Sequence, residues 1–184
     1  MEQKKPDFVA PHVELKPLGK GRQITQKRLK EVLRYDEDTG QFTWIKQTSI
    51  RAPVGRVAGS KRRDGYFEIR IDKIINLSHR LAWLYVYGEF VDCIDHKNLD
   101  RADNRISNLR NSTMSQNVAN AKIRSNNTSG MKGVSWNKNR RKWRAYISFN
   151  NKRIELGMFN LKDDAAKAYA EASKRIHKEF GRLE

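Results

Sequence analysis

The sequence predicts an α+β protein built from two consecutive units, and three observations carry that reading. Apolar and polar residues alternate at 66–71 and again at 141–149, the period of half-buried strands. At 78–87 and 161–180 the apolar residues recur at helical spacing instead. Between the two regions, Ser125, Asn126, Asn127, Thr128, Ser129 and Gly130 have the composition of a linker. The expected organisation is a basic arm over 1–23, a first unit over 24–122, a linker over 123–130 and a second unit over 131–184.

The chain has 184 residues, enough for one domain with a proper core or for two small ones. Its 38 Lys and Arg against 21 Asp and Glu give a net charge of +17, which favours an anionic polymer as partner. The excess is shared, about +8 from residue 130 onward and +9 before it. A single cysteine, Cys93, excludes an internal disulfide and a cysteine-based zinc site. The apolar stretch Leu81–Tyr87 is far too short to span a bilayer. The first ten residues lack the apolar core of a signal peptide, so a cytoplasmic protein is expected, with no membrane partner and no obligate protein partner.

In the first unit, Thr25 is placed to cap a helix over 26–34 with Leu29, Val32 and Leu33 on one face. Residues 36–40 form a turn, and Phe42 and Trp44 alternate as in a strand. After the Asp64-Gly65 turn, Phe67, Ile69 and Ile71 share one strand face, and the chain reverses at Asp72-Lys73. Ser78 reads as the cap of a helix over 79–87 that Gly88 ends. Residues 91–96 read as a strand, 97–103 as a polar loop and 106–110 as a returning strand. Thr113 and Gln116 form a capping-box pattern that starts a helix at Met114.

This strand–loop–strand–helix unit carries the chemistry. Asp95 can hold a hard divalent cation through oxygen. Its neighbour His96 can take a proton from water near neutral pH. Asn108 can fix the tautomer of His96, and Asn117 can add a neutral oxygen ligand. Together these are the parts of a one-metal phosphodiester hydrolase. His79 is read as a structural histidine at a helix start, and His12 and His177 are given no role.

Residues 79–83, 94–96, 103–110 and 116–117, with the upstream segment 38–44, are similar to the HNH endonuclease family, in the branch common among phage and homing enzymes. The resemblance implies two antiparallel strands and a helix around a metal. It makes Asp95 and Asn117 metal ligands, His96 the general base, Asn108 its orienting partner and Asn104 a structural loop residue. An Asp at the first ligand position points to Mg²⁺ or Mn²⁺. The chain departs from many relatives in carrying Leu99 where they carry Gly.

The second unit reads as strands over 132–136, 141–149 and 153–158, with turns at 137–139 and 150–151, and a helix over 161–180 begun by Asn160 or Asp163 and ended by Gly181. Trp143, Ala145, Ile147 and Phe149 share one face of the middle strand, and Lys142, Arg144, Tyr146 and Ser148 the other. Ala165, Ala168, Tyr169, Ala172 and Ile176 give the helix a small-residue stripe that fits the apolar face. The opposite face is left basic and open, and a sheet of that kind can enter a major groove.

Residues 130–134, 142–147, 156–159 and 164–169 resemble the APETALA2-type DNA-binding domain, which implies a three-stranded antiparallel sheet packed on one helix. The resemblance and the parity together select Lys132, Lys142, Arg144, Tyr146, Ser148 and Arg153 as DNA contacts, with Trp136, Lys138 and Arg141 on the first hairpin. Ser135, Ser148 and Glu155 stand where plant members often carry Arg or Trp, so a different sequence is read.

The expected function is a site-recognising, divalent-metal-dependent endonuclease acting on double-stranded DNA, of phage or mobile-element homing type. Two rivals are a non-cleaving DNA-binding regulator derived from a nuclease and a structured-RNA binder.

Overall fold

The computed structural model describes residues 23–150 and 152–183. The expected arm therefore lies outside the described residues apart from Gln23, as does Asn151 of the last turn. Helix α1 (Gln26–Val32) opens on Thr25, whose side chain accepts from the Arg28 amide. It is shorter than the sequence suggests, because Leu33 leaves the helix and starts strand β1 (Leu33–Tyr35). Strand β1 pairs with β2 (Phe42–Trp44), and β2 with β3 (Val57–Ala58), in a three-stranded antiparallel sheet.

A second small sheet follows, from β4 (Ser60–Lys61), β5 (Phe67–Ile71) and β6 (Ile74–Leu77), with β5 in the middle. Strand β6 runs straight into α2 (Ser78–Tyr87). Leu77 is therefore the capping position, and Ser78 is the first helical residue instead of the expected cap. Gly88 ends α2 with φ of 80°, a left-handed conformation suited to glycine.

The next three elements match the expected order with shifted bounds. Strand β7 (Cys93–His96) pairs antiparallel with β8 (Leu109–Ser112), and α3 (Met114–Asn120) follows under a complete Thr113–Gln116 capping box. Residues 106–108 form a 3₁₀ turn ahead of β8, so Asn108 stands in that turn and not on the returning strand. Leu29, Val32, Leu33, Phe42, Ile69, Ile71 and Leu81 are buried at the centre of one apolar cluster that joins α1, α2 and both sheets and reaches Ile94 and Leu109 beneath the β7–β8 hairpin.

A separate apolar cluster lies in the second unit. Strands β9 (Val134–Asn137), β10 (Lys142–Phe149) and β11 (Lys152–Phe159) form an antiparallel sheet with β10 in the middle. Helix α4 (Lys162–Ile176) packs against it through Ala165, Tyr169 and Ala172, which meet Val134, Ala145 and Ile147. The parity expected in β10 therefore holds at its two buried positions. Neither Asn160 nor Asp163 caps α4; Leu161 holds that position without a side-chain bond, while Asp163 and Asp164 favour the positive end of the helix dipole. The helix also stops sooner than expected. After His177 the chain makes a 3₁₀ turn over Lys178–Phe180, with Lys178 at φ of 52°.

The two units touch. The Lys132 amino group donates to the Ala119 and Ala121 carbonyls at 2.5 and 2.6 Å, which satisfies open acceptors at the end of α3. Burial at this junction pushes Lys132 down to about 8, and Arg182 adds to the shift.

Candidate active site

Asp95 and His96 end β7, with α3 packed across the hairpin. Both are buried, and together with Asn117, Tyr66, Leu99, Arg101 and Lys122 they line one cleft of about 450 Å³. Three of the four residues selected from sequence are thus brought to one place. The fourth, Asn108, faces away from the imidazole. Its Oδ1 accepts from the Asn98 amide at 3.1 Å, and its Nδ2 donates to the Asp103 carbonyl at 2.8 Å. It ties the loop together because the 3₁₀ turn points it there.

The ring of His96 meets Asn104 instead, with Nε2 and the Asn104 Oδ1 3.5 Å apart. Among the described residues its Nδ1 has no hydrogen-bond partner. If Nε2 holds the proton toward Asn104, Nδ1 keeps a lone pair toward the cleft. Burial lowers the affinity of His96 for a proton, against smaller opposing effects from Asn104 and Asp95, which favours the neutral ring.

Asn104 is itself held from behind. The Tyr35 hydroxyl donates to its carbonyl at 2.6 Å. A Cβ added at Gly40 would lie 2.4 Å from the Arg105 amide nitrogen and 2.5 Å from the Asn104 carbonyl carbon. The β1–β2 hairpin thus buttresses the residue that contacts the imidazole. Gly40→Ala is expected to displace this loop and lower stability by about 1–3 kcal/mol, since φ is also 72° there. Urea unfolding checks the size.

The loop over 97–105 is stiffened by its own side chains. Asn98, Asp100 and Asp103 each accept from an amide two residues on. The Arg105 guanidinium grips Asp103 and holds that carboxyl down to about 2. Leu99 adopts φ of 65°, a left-handed conformation that glycine takes without strain, and the residue joins the cleft wall.

His79 stands behind His96, with ring centroids 5.2 Å apart and Tyr66 against both. Burial, followed by repulsion from His96, pushes His79 down to about 3. A histidine whose folded pKa is depressed contributes stability that is present above the unfolded value near 6.5 and is lost as pH falls from there toward 3. His177, which is also buried, shifts the same way through burial, as does His96. Stability is therefore expected to fall between pH 7 and 5, by at most about 1.4 kcal/mol per pH unit for each histidine. His79→Gln makes that slope shallower without abolishing it, as urea midpoints at several pH values would show.

Asp95 has neighbours that the sequence reading did not select. Arg110 lies directly across the hairpin and reaches Asp95 Oδ2 through Nε at 2.8 Å and a terminal nitrogen at 2.7 Å. Asn120 donates to both Asp95 oxygens and to the His96 carbonyl, each at 3.0 Å. It was legible as the residue three after Asn117, one helical turn along the same face of α3.

Two oxygens remain for a cation. Among the described residues Asp95 Oδ1 accepts only from Asn120 and keeps one lone pair. Asn117 donates its Nδ2 to the Cys93 sulfur at 3.5 Å, and among the described residues its Oδ1 has no hydrogen-bond partner. One carboxylate and one amide oxygen beside a histidine in an open cleft suit a hard divalent ion whose shell is completed by water and phosphate oxygens. Among the described residues there is no cluster of three or more His, Cys, Asp or Glu that would form a closed cage.

On the second unit, Lys142, Arg144, Tyr146, Ser148 and Arg153 lie on the open face or its edge. Arg144 is ion-paired with Glu155, and the Arg153 guanidinium lies 4.2 Å over the Tyr146 ring. Lys138 and Arg141 are exposed at the β9–β10 turn. Two expected contacts sit elsewhere. The amino group of Lys132 is committed to α3. Trp136 pairs with Trp143 in register, so it belongs to the helix-side face, 46% exposed at its edge, with ring centroids 5.1 Å apart.

The sequence profile of HNH endonucleases matches residues 76–119, the stretch from the end of β6 through α3. Protein 3.8 of Escherichia phage T7 is 33% identical over 96 residues, which cover 52% of this chain and 76% of that protein. No solved structure matches.

Proposed function

The chain belongs to the family of phage protein 3.8 and carries an HNH endonuclease domain at residues 76–119, and from that premise we propose a site-recognising DNA endonuclease of homing type. The observation that carries the reading is the shared cleft of Asp95, His96 and Asn117. His96 takes a proton from a water poised in line with a backbone phosphorus. Asp95 and Asn117 would hold Mg²⁺ or Mn²⁺ beside the scissile phosphate. When bound, such an ion supplies a Lewis acid that stabilises the charge growing on the leaving 3′-oxygen. Arg101 and Lys122 at the cleft wall attract the phosphate backbone.

In this reading residues 24–122 cut, and the second unit, which resembles an APETALA2-type domain, positions the duplex. Its open face enters the major groove, with Arg144, Tyr146, Ser148 and Arg153 toward base edges and phosphates and Lys138, Arg141 and Lys142 toward the backbone. If Lys138, Arg141, Lys142, Arg144 and Arg153 each neutralise one phosphate, a plot of log affinity against log salt has a slope of about −4 to −5. A fluorescence titration across salt concentrations measures it. Among the described residues no helix is long and apolar enough to cross a membrane.

The bonds from Arg110 and Asn120 to Asp95 favour a second reading, a DNA-binding regulator that does not cut, because they already occupy most of the carboxylate. Incubation of supercoiled plasmid with the purified protein, with Mg²⁺ or with a chelator, separates the two. The nuclease nicks only when the metal is present; the regulator binds and leaves the plasmid supercoiled.

A further inference from the structure

We propose that Asn120 and Arg110 are positioning residues of the cleavage site, and that the C-terminal segment 179–182 is part of the same assembly; the inference rests on the nuclease reading above. Asn120 is 4% exposed, and its single Nδ2 reaches Asp95 Oδ1, Asp95 Oδ2 and the His96 carbonyl. It therefore sets the carboxylate plane and the backbone of the imidazole together. Arg110 fills the outer lone pairs of Oδ2, which leaves Oδ1 as the carboxylate atom with an open site.

Both residues are braced by the far end of the chain. Arg110 donates to the Glu179 carbonyl at 3.0 Å, and its guanidinium lies 3.8 Å over the Phe180 ring. The Asn120 Oδ1 accepts from Arg182 Nε at 3.5 Å, and Arg182 also reaches the Lys97 carbonyl at 3.3 Å. The Arg182 amide donates to the Ala119 carbonyl at 3.4 Å. The last turn of the second unit thus holds the two side chains that aim Asp95. An unbraced carboxylate rotates and presents its open oxygen less often, and outer partners of metal ligands typically change affinity or activity by about 10- to 100-fold.

The test uses Asn120→Ala, Asn120→Asp, Arg110→Lys and Arg182→Ala in the full chain. Four readouts are taken: Mn²⁺ affinity by calorimetry without DNA, duplex affinity, nicking kcat and KM, and the thermal unfolding midpoint. The expected result is Mn²⁺ binding weaker by about tenfold in Asn120→Ala and kcat lower by a similar factor, with duplex affinity and KM unchanged. Arg182→Ala shifts the same two quantities in the same direction by less, and because its side chain is partly exposed it remains folded. Arg110→Lys keeps the charge, loses the planar fork and also weakens Mn²⁺ binding.

Asn120→Asp separates aiming from space-filling. A residue needed only for its shape tolerates Asp better than Ala, whereas a residue needed as a donor to Asp95 tolerates Asp worse, because a second carboxylate faces the first. Mn²⁺ affinity and kcat at wild-type level in both Asn120→Ala and Arg182→Ala would overturn the inference while leaving the nuclease intact. A wild-type protein that neither binds Mn²⁺ nor nicks DNA removes the nuclease reading itself, and this inference with it.

Discussion

Replacing His96 with Ala is expected to lower the DNA cleavage rate by about 10²- to 10⁴-fold, the usual contribution of a positioned general base. Duplex affinity should stay close to wild type, because the imidazole is buried and adds no charge for the phosphate backbone. The fold tolerates the change, since the ring's polar contact is a long one to Asn104 and its core neighbours are the rings of His79 and Tyr66. The Asn104→Ala variant is a useful companion. It keeps the base and loses the contact that selects its tautomer, so it should sit between wild type and His96→Ala. Single-turnover nicking and a parallel binding titration check both. A His96→Ala protein that cleaves at the wild-type rate removes His96 from the reaction.

Asp95→Ala is expected to do two kinds of damage. It removes the carboxylate proposed to hold the cation, and it leaves the Arg110 guanidinium without its counter-charge in a site where the Arg110 side chain is 13% exposed. Deleting one partner of a buried pair typically costs about 3–5 kcal/mol, because the other charge stays desolvated. Here the loss falls toward the lower end, since Arg110 retains the Glu179 carbonyl and the Phe180 ring. Adding Arg110→Met to Asp95→Ala should return much of the stability without returning cleavage. Urea unfolding of the single and double variants, with nicking measured beside it, separates the structural share of Asp95 from its chemical share.

What could be read from the chain beforehand follows from how local each signal is. The capping box at Thr113 and Gln116 and the glycine stop at Gly88 are short-range, and both appear where expected. The parity of β10 predicts its buried positions because alternation is set within one strand. Strands of two or three residues give no such period. Leu33 continues the apolar face of α1, so β1 reads as helix, and β3 and β4 carry no alternation at all.

The site shows the same division. Asp95, His96 and Asn117 were legible as a set because a hairpin and the helix that follows it return the chain to its start. The choice between Asn104 and Asn108 was not, since it depends on a 3₁₀ turn that aims Asn108 into the loop. Trp136 changes face through the β9–β10 register, and Lys132 meets the end of α3 across the junction between the units. Contacts of that sort join residues that no periodicity connects. Arg110 was within reach, because an antiparallel hairpin places it opposite Asp95.

The central claim is that the Asp95–His96 cleft hydrolyses a phosphodiester with water as nucleophile and the 3′-oxygen as leaving group. Chemical analysis of the ends made when the purified protein acts on duplex DNA in Mg²⁺ tests it most directly. The expected termini are 5′-phosphate and 3′-hydroxyl, formed in Mg²⁺ or Mn²⁺ and absent when the metal is chelated. Termini bearing a 3′-phosphate or 5′-hydroxyl, or cleavage that persists in chelator, would contradict it.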